Sequence, residues 1–380
     1  MLEKLEKYME LKRGYDLPSY ERVNGIYPIV SSSRITEFHN EFKVKGPGVI
    51  TGRSGTIGEV FFENRDFWPL NTSLYVKDFK GNNKKFIYYF LKNLDFKHLA
   101  SATAVPSLDR KILHSLRVPF IEKSIQNKIA KLLSNYDDLI ENNNKRIKLL
   151  ESMAEELYKE WFVRLRFPNY QNTKIEDGIP ERWEEKCLSN IMSFINGYAF
   201  RSSDFTENGS TIIKIKNINN KTVDIDNTDK VLDEITKKLD NKFQLFENDL
   251  IIAMTGATVG KLGFIPKLNE KTFLNQRVGK IVSKYKYFIY LVLNSCSGQQ
   301  NIINLADGAA QPNISSSQIL KIKCVLPTEE ILKEFENILE NIYLEIFNLR
   351  NKNQTLKQTR DLLLPRLLSG KLDIEKLDIN

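Results

Sequence analysis

One segment of this sequence comes close to a loop that binds phosphate. Gly256 opens GATVGK, whereas a phosphate-binding loop needs four residues between its first glycine and a Gly-Lys pair, followed by Ser or Thr. Here three residues separate them, and Leu262 stands where the hydroxyl that holds magnesium is required. The segment is therefore not predicted to bind a nucleotide.

The other reactive side chains lack the partners that catalysis or metal binding would need. No Cys or His stands at metal-ligand spacing from any of the histidines, which are His39, His98 and His114. Acidic pairs such as Asp137–Asp138 and Glu155–Glu156 lie beside basic residues and are interpreted as solvated or partner-docking helix faces. No Asp/Asn/Ser-Pro-Pro-aromatic motif of an adenine methyltransferase occurs, and no Gly-rich cofactor loop opens a strand–helix unit. The sequence thus predicts a chain without a catalytic site or a metal site.

Composition and charge permit a nucleic-acid partner without requiring one. Lys and Arg total 56 against 48 Asp and Glu, which gives a net charge of +8. The three cysteines are too few and too scattered for a disulfide framework or a zinc cluster, so burial as small hydrophobic side chains is expected for Cys187, Cys296 and Cys324. No apolar run approaches the roughly 18 residues of a membrane span, and the first residues lack the apolar core of a signal peptide. We therefore expect a cytoplasmic protein.

The sequence contains an internal repeat with a period of about 206 residues. Pro106 and Pro312 occupy matching stretches, ITGRSGTIGEV echoes IIAMTGATVGKL, and FIYYFLKN echoes FIYLVLNS. PLNTSLYV echoes FLNQRVGKI, which aligns Asn71 with Asn275. The copies agree in pattern and differ in surface chemistry, as expected of one scaffold with two different binding specificities.

Each copy predicts an α+β domain. Short strands separated by Gly, Pro and Asn turns are followed by a helix, roughly Lys84 to Leu99 in the first copy and Tyr285 to Leu305 in the second. A closing strand ends near Pro119 and Pro327. The predicted domains are residues 1–121 and 183–327, with long helices at 122–166 and 328–380 and a linker at 167–182.

Both long helices carry an apolar seam that alternates by three and four residues. The obvious partner of each seam is the other helix, and the alternative is that each helix packs on its own globular domain. Asn143 and Asn353 lie on the seams, where a polar residue costs stability but fixes the register of the pair. Pro365 is expected to end the second helix, and Gly370 to close a short final turn.

The phrases that flank the helices resemble one protein family. ELYKEWFVRLRFP follows the first helix, LLLPRLLSGKLDI ends the second, and GIPERWEEKCLSNIMSFINGYAF opens the second domain. Over nearly the whole chain this pattern resembles the specificity subunit of type I restriction–modification enzymes. One departure is that the first domain begins at LEKYMELKRGYDLPS without the Pro-x-x-Trp lead of Pro180–Trp183, which raises the question of how its first strand packs.

The resemblance implies both architecture and partners. It implies two similar α/β target-recognition domains joined by two long antiparallel coiled-coil helices with pseudo-two-fold symmetry. Each domain would recognise one half of a split, asymmetric target in double-stranded DNA. The subunit would have no catalytic site and would bind two modification subunits, which methylate adenine, and restriction subunits, which translocate and cut. S-adenosylmethionine, ATP and Mg²⁺ are then expected in those partner subunits and no cofactor in this chain.

Candidate DNA contacts lie in loops bounded by glycine, where side chains and backbone N–H groups can approach a duplex. In the first domain they are Arg34, Lys43, Lys45, Arg53, Ser54, Thr56 and Ser107, with Asn71 and Thr72 beside them. In the second they are Arg201, Lys214, Lys216, Asn217, Thr255, Thr258, Gln276, Arg277, Gln311 and Asn313. Arg suits guanine, and Asn or Gln suits adenine. Each of these residues could instead be a turn or cap residue, and Asn71 and Asn275 are expected to be structural because they share one position.

An aromatic–basic cluster ends the first long helix, formed by Trp161, Phe162, Arg164 and Arg166. It is interpreted either as a hydrophobic helix cap or, from the resemblance, as a docking point for a modification subunit. Two other functions stay open at this point: a non-catalytic protein-interaction scaffold with incidental basic charge, and a catalytic nuclease or methyltransferase.

Overall fold

The computed structural model describes residues 2–99, 107–219, 221–308 and 312–376. The chain divides into two compact units. Unit 1 comprises Met1–Glu141 and Gln354–Asn380, and unit 2 comprises Asn142–Asn353. The division falls inside both long helices, so each unit contains a globular domain and a segment of each helix.

Unit 1 is built on short, mostly antiparallel strands. In its described part the strands are β1 (Leu2–Lys4), β2 (Glu10–Arg13), β3 (Tyr27–Val30), β4 (Ile35–His39), β5 (Gly48–Gly52), β6 (Val60–Glu63), β7 (Trp68–Pro69), β8 (Ser73–Asp78) and β9 (Arg117–Pro119). The helices are α1 (Lys84–Lys92), α2 (Phe96–Leu99), α3 (Arg110–Ser115) and α4 (Lys123–Tyr158). A four-stranded sheet has the order β2-β8-β5-β6, and a three-stranded sheet has the order β4-β3-β7 with β3 and β7 parallel.

The core of unit 1 lies between the four-stranded sheet and its helices. β5 is buried along its whole length, as its apolar Gly-Val-Ile-Thr-Gly sequence requires. Phe86 and Phe90 of α1 pack into the same core. The helix expected over Lys84–Leu99 is in fact two helices, because α1 ends at Lys92 and Asn93 caps its last carbonyls.

Unit 2 repeats this plan with additions. Its described strands are β10 (Ile175–Glu176), β11 (Ile179–Pro180), β12 (Glu184–Cys187), β13 (Ser193–Asn196), β14 (Phe205–Thr206), β15 (Ser210–Ile213), β16 (Ile218–Asn219), β17 (Lys221–Val223), β18 (Asp229–Val231), β19 (Gln244–Leu245), β20 (Leu250–Ala253), β21 (Leu262–Phe264), β22 (Thr272–Leu274), β23 (Val278–Val282) and β24 (Lys323–Leu326). The helices are α5 (Asp233–Thr236), α6 (Lys286–Asn294), α7 (Cys296–Leu305), α8 (Ser316–Leu320) and α9 (Glu329–Leu368). α6 and α7 replace the single helix expected over Tyr285–Leu305, because Ser295 breaks it and caps α7.

The sheet orders confirm the internal repeat. In the six-stranded sheet of unit 2, β13-β23-β20-β21-β17-β16, the first four strands are equivalent to β2-β8-β5-β6 of unit 1, and β17 and β16 are additions. In the five-stranded sheet, β14-β18-β15-β22-β19, the three central strands are equivalent to β4-β3-β7, and β14 and β19 are added at the two ends. β1 pairs with β9 as β12 pairs with β24, so the first strand of unit 1 is paired in the same way without the Pro-x-x-Trp lead.

The long helices run antiparallel in each unit. In unit 2, Asn143 donates a hydrogen bond to Asn353 across 2.8 Å, which confirms that these two seam residues contact each other. In unit 1, Arg360 pairs with Asp137. The alternative packing is also present, because Tyr343 of α9 stacks on Tyr287 of the globular domain with ring centroids 4.6 Å apart.

Three expectations for single residues are wrong. The alternation of apolar residues in the second long helix predicts that Ile338 lies on the seam, but it is 38% exposed, because this part of α9 turns Leu339 and Tyr343 toward its own domain instead. Pro365 does not end α9; it lies in the last turn, and the helix continues to Leu368 before Gly370 adopts a φ of +71°. Cys296 is exposed at the start of α7. Across the described residues, none of the helices combines the length and apolar character that a bilayer span requires.

Candidate nucleic-acid interface

Three segments of unit 1 meet where β5 ends and β8 begins. Arg53 N–H and Ser54 N–H donate to the carbonyl of Thr72, across 2.9 and 3.1 Å. Leu108 N–H donates to the carbonyl of Arg53 across 2.8 Å, and Ser107 forms a β-bridge with Ser54. The structure thus brings together five residues predicted from the sequence to lie at a binding loop: Arg53, Ser54, Asn71, Thr72 and Ser107. We call this region the glycine-loop edge of unit 1.

Unit 2 has the same backbone frame at the start of its glycine loop. Met254 N–H donates to the carbonyl of Arg277 across 3.0 Å, and Ile314 N–H donates to the carbonyl of Met254 across 2.9 Å. Thr255 forms a β-bridge with Asn313. The loop turns through Gly256 and Gly260, with φ values of +74° and +81°, as the loop of unit 1 turns through glycines with positive φ. This is the glycine-loop edge of unit 2.

The shared frame corrects the alignment of the two copies by one residue. Tyr15 forms a parallel bridge to Leu70, and Tyr198 forms the equivalent bridge to Asn275. Gly14, which precedes Tyr15, lies so close to the carbonyl of Leu70 that an added Cβ would be 2.1 Å from the oxygen. Gly197, which precedes Tyr198, lies equally close to the carbonyl of Asn275, at 2.0 Å. Leu70 is therefore the equivalent of Asn275, and the expected sharing of one position by Asn71 and Asn275 is wrong.

It follows that Asn71 corresponds to Gln276 and Thr72 to Arg277. The backbone bonds agree, because the carbonyl of Thr72 in unit 1 and that of Arg277 in unit 2 accept from equivalent residues, Arg53 and Met254. The two units thus present different side chains at the same backbone positions.

The arginine of the unit 1 edge is held by its inner nitrogen. Arg53 Nε donates to the carbonyl of Asn71 across 3.1 Å, and the side chain is half-exposed. Within the described part of the chain, neither Nη atom of Arg53 has a hydrogen-bond or carboxylate partner. Asn71 in turn donates from Nδ2 to Asp16. One N–H of its amide is thus bound inside the unit, while the outer guanidinium nitrogens of Arg53 are not bound by any described residue.

The edge of unit 2 exposes more polar groups. Gln276, Arg277 and Asn313 are exposed. Ala199 follows Tyr198 where Asp16 follows Tyr15, so Gln276 has no equivalent of the carboxylate that binds Asn71. Thr255 Oγ1 is buried and has no hydrogen-bond partner in the part of the chain that the structure describes, and Thr258 Oγ1 lies 3.5 Å from the carbonyl of Thr255.

A second group of predicted residues follows β3 and β15, which are equivalent strands. Arg34 is exposed in the turn after β3, whose Ser32 carbonyl borders Gly52. In unit 2, Lys214 and Lys216 both pair with Asp229, at 2.7 and 3.0 Å, and hydrogen bonds from these lysines lower the pKa of that carboxyl.

Asn217 belongs to the same turn and is buried. It is 2% exposed, its side-chain carbonyl accepts from Lys214 N–H, and its amide donates to the carbonyl of Asn227. This turn of unit 2 therefore has most of its polar groups bound internally.

Other predicted residues lie apart from the edges. Lys43 and Lys45 precede β5 and are thus at the opposite end of that strand from Arg53; Lys43 Nζ lies 4.5 Å from the Trp68 ring centroid. Arg201 is exposed in the loop after β13, and its backbone N–H donates to Asp204. Thr56 is exposed within the unit 1 loop. Gln311 lies outside the described residues.

Asp16 is the residue at this edge that the sequence argument missed. The paired phrases RGYDLPS and NGYAFRS contain the signal, because they align Gly14 with Gly197 and therefore Asp16 with Ala199. A shared Gly-Tyr followed by a carboxylate in one copy alone indicates a copy-specific contact.

The aromatic–basic cluster at the end of α4 is divided between interior and surface. Trp161 is 7% exposed, and Phe162 packs on Phe335 with ring centroids 4.7 Å apart. This burial favours the helix-cap interpretation for the aromatic residues. Arg164 and Arg166 are at the surface, where both pair with Glu160. Among the described residues, no cluster of three or more His, Cys, Asp or Glu side chains could hold a metal ion.

Comparison with known proteins gives one consistent result. The family model described as "Type I restriction modification DNA specificity domain" matches residues 5–152 and 180–358. The MjaVIII type I restriction enzyme specificity subunit of Methanocaldococcus jannaschii is 26% identical, with 94% of this chain and 89% of that protein covered. The HindI specificity subunit of Haemophilus influenzae is 22% identical, with 73% and 74% covered.

A solved structure shares the fold. The crystal structure of the type I restriction–modification S subunit from M. genitalium superimposes with a TM-score of 0.61 at 16% identity, covering 97% of this chain and 96% of that one. The predicted fold class is thereby confirmed. With two family matches that together span most of its length, the chain belongs to the family of type I restriction–modification DNA specificity proteins.

Proposed function

We propose that this chain is the specificity subunit of a type I restriction–modification system and that each unit recognises one half of a bipartite DNA target. One observation carries the proposal. Two copies of one backbone frame present different polar side chains at equivalent positions, which is what recognition of an asymmetric target requires. A chain that bound the same ligand twice would keep those side chains alike.

The side chains at the two edges suit base recognition. A guanidinium whose Nη groups have no partner among the described residues can donate two hydrogen bonds to guanine, and an exposed amide such as that of Gln276 can bind adenine. Arg34, Lys43, Lys45 and Arg201 are exposed cations away from the edges and suit phosphate contacts, which position a protein without selecting sequence. The net charge of +8 has the sign that a phosphate backbone requires.

The catalytic steps would be performed by other subunits. By resemblance to the family, methylation of adenine would be performed by two modification subunits and cleavage by restriction subunits, and these partners would bind S-adenosylmethionine, ATP and Mg²⁺. Arg164 and Arg166 are the surface part of the proposed docking cluster, and the buried Trp161 and Phe162 fix the helix end that presents them. The chain would thus provide sequence specificity without a cofactor of its own.

Selection from a randomised duplex pool tests the proposal. The chain, purified with the subunits that accompany it, should enrich two different short motifs at one fixed spacing. Affinity for that DNA should fall steeply between 50 and 200 mM salt, because binding releases counterions from the phosphates. Absence of any enriched motif, or affinity that is insensitive to salt, would contradict DNA recognition.

A further inference from the structure

At the adjoining strand ends of each glycine-loop edge there is one arginine, but the two units carry it on different strands. In unit 1 the arginine follows β5, at position 53, and Thr72 stands opposite it before β8. In unit 2 the arginine precedes β23, at position 277, and Met254 stands opposite it after β20. The backbone N–H of the first position donates to the carbonyl of the second in both units, so the two positions are direct neighbours. We call them the strand-end pair.

The residues paired with the two arginines, Met254 and Thr72, do not present a polar group to a ligand. Met254 is 7% exposed, and its sulfur lies near Gly279 in the core of unit 2. Thr72 Oγ1 is buried and has no hydrogen-bond partner among the described residues. Each strand-end pair therefore offers a ligand one outward-facing guanidinium and one inward-facing side chain.

From this arrangement we infer that the strand-end pair determines specificity, and that the strand carrying the arginine sets which base pair of the half-site must contain guanine. The inference rests on the proposed function and goes beyond it by assigning the discrimination to two coupled positions. Neighbouring strands lie about 4.8 Å apart, and base pairs stack at about 3.4 Å. Moving the guanidinium from one strand to the other therefore shifts its target by one to two base pairs.

The environment of Arg53 supports a base contact rather than a structural ion pair. The Nε bond to the carbonyl of Asn71 fixes the plane of the guanidinium, and no described carboxylate lies within ion-pair distance of it. Arg277 is exposed and likewise has no described side-chain partner. By contrast Lys214 and Lys216, which follow β15, share the Asp229 carboxylate.

Lysine substitutions test the inference without removing charge. In the duplex selection, Arg53→Lys should lower the preference for guanine at one base pair of one half-site by about 5- to 150-fold, because an ammonium on a flexible stem lacks the rigid planar fork with which a guanidinium matches guanine. Arg277→Lys should do the same in the other half-site only. Arg117→Met, which changes an exposed arginine of the β1–β9 ribbon, serves as the matched control and should leave both motifs unchanged.

The exchanged pair tests the role of the strand. Arg53→Met combined with Thr72→Arg gives unit 1 the arrangement of unit 2, and guanine preference should reappear one to two base pairs from its original position. An unchanged motif in the lysine variants, or an equal loss of affinity for every sequence, would overturn the inference, as would return of guanine at the original position in the exchanged pair. Failure of the wild-type chain to enrich any motif would instead overturn the proposed function.

Discussion

Glu336 belongs to α9, and its side chain is buried against the N-terminus of α6. Its carboxylate accepts from Tyr287 N–H across 2.9 Å and from Phe288 N–H across 3.1 Å. Burial raises the pKa of Glu336 to about 7 from its usual 4.5, although the two amides and Lys286 act in the opposite direction. The folded protein therefore binds this proton more tightly than the unfolded chain does. The resulting stabilisation is complete below pH 4.5 and is lost as the pH rises through 7.

Comparison with Glu336→Gln isolates this effect. The amide of the variant is neutral at every pH, so the stability of the wild-type chain relative to the variant should fall by as much as about 3 kcal/mol between pH 5 and pH 8. Denaturant unfolding of both proteins at the two pH values measures the difference. A difference that is independent of pH would show that the carboxyl is ionised throughout this range in the folded protein.

The sequence predicted which segments form the two edges, but it did not predict which residue of one copy is equivalent to which residue of the other. The glycine loops and the closing segments were located correctly from the repeat, because their bounding glycines need a positive φ whatever the neighbouring side chains are. The equivalence of Asn71 and Gln276 could not be obtained in this way. Between β15 and β20, unit 2 adds β16, β17 and β19, and it lengthens the glycine loop by one residue, so no constant period relates the copies, and only the strand bridges fix the alignment.

At the scale of the element, the paired asparagines of the long helices specify register in unit 2. Asn353 is 6% exposed; it accepts from Asn143 and donates to Asn144 across 2.9 Å. Asn353→Ala should lower the free energy of unfolding by about 1–3 kcal/mol, since Asn143 is left half-buried with an unpaired amide. Replacing both Asn143 and Asn353 with leucine should leave the protein at least as stable as the wild type, because no polar group remains unsatisfied.

Denaturant unfolding distinguishes these variants. Asn142→Ala, which alters an exposed residue of the same helix, is the control and should change stability by less than about 0.5 kcal/mol. A double leucine variant as unstable as Asn353→Ala would show that the asparagines contribute net stability instead of register alone.

Two ion pairs on the same helices differ in burial and should differ in strength. Arg360 is 11% exposed and pairs with Asp137, which also accepts from the Tyr89 hydroxyl across 2.5 Å. Arg146 pairs with Glu345 across 2.8 Å, with side chains 54% and 38% exposed. Arg360→Met should cost about 2–4 kcal/mol, because it leaves Asp137 charged and poorly solvated, whereas Arg146→Met should cost less than about 1 kcal/mol. Equal losses in denaturant unfolding would contradict the importance of burial here.

The long helices show how far an apolar pattern predicts an element. Their existence and their contact with each other followed from the seam, since a heptad stripe must be buried, whereas their antiparallel direction was implied by the family resemblance. The exposure of Ile338 did not follow, because the seam pattern does not reveal that α9 also packs on a globular domain. α9 continues through Pro365 because the proline removes a single backbone hydrogen bond, the one to the carbonyl of Asp361, and the helix then ends three residues later at Leu368.

For the whole molecule, both long helices cross the boundary between the compact units, α4 after Glu141 and α9 after Asn353. If these helices set the distance between two half-sites, inserting seven residues into each helix at those points adds about 10 Å, which corresponds to roughly three base pairs. Duplex selection with the lengthened chain should return the two original half-sites separated by about three additional base pairs.

The affinity of the lengthened chain should also fall. A heptad leaves the helix face almost unchanged, whereas three base pairs rotate the second half-site by about a third of a turn, which the DNA or the protein must absorb as twist. Inserting the heptad into α4 alone is the control, since helices that differ in length by seven residues cannot keep both the Asn143–Asn353 contact and the Arg360–Asp137 pair in register, and it should abolish recognition of the bipartite site. Unchanged spacing in the doubly lengthened chain would exclude the helices as the element that measures the target.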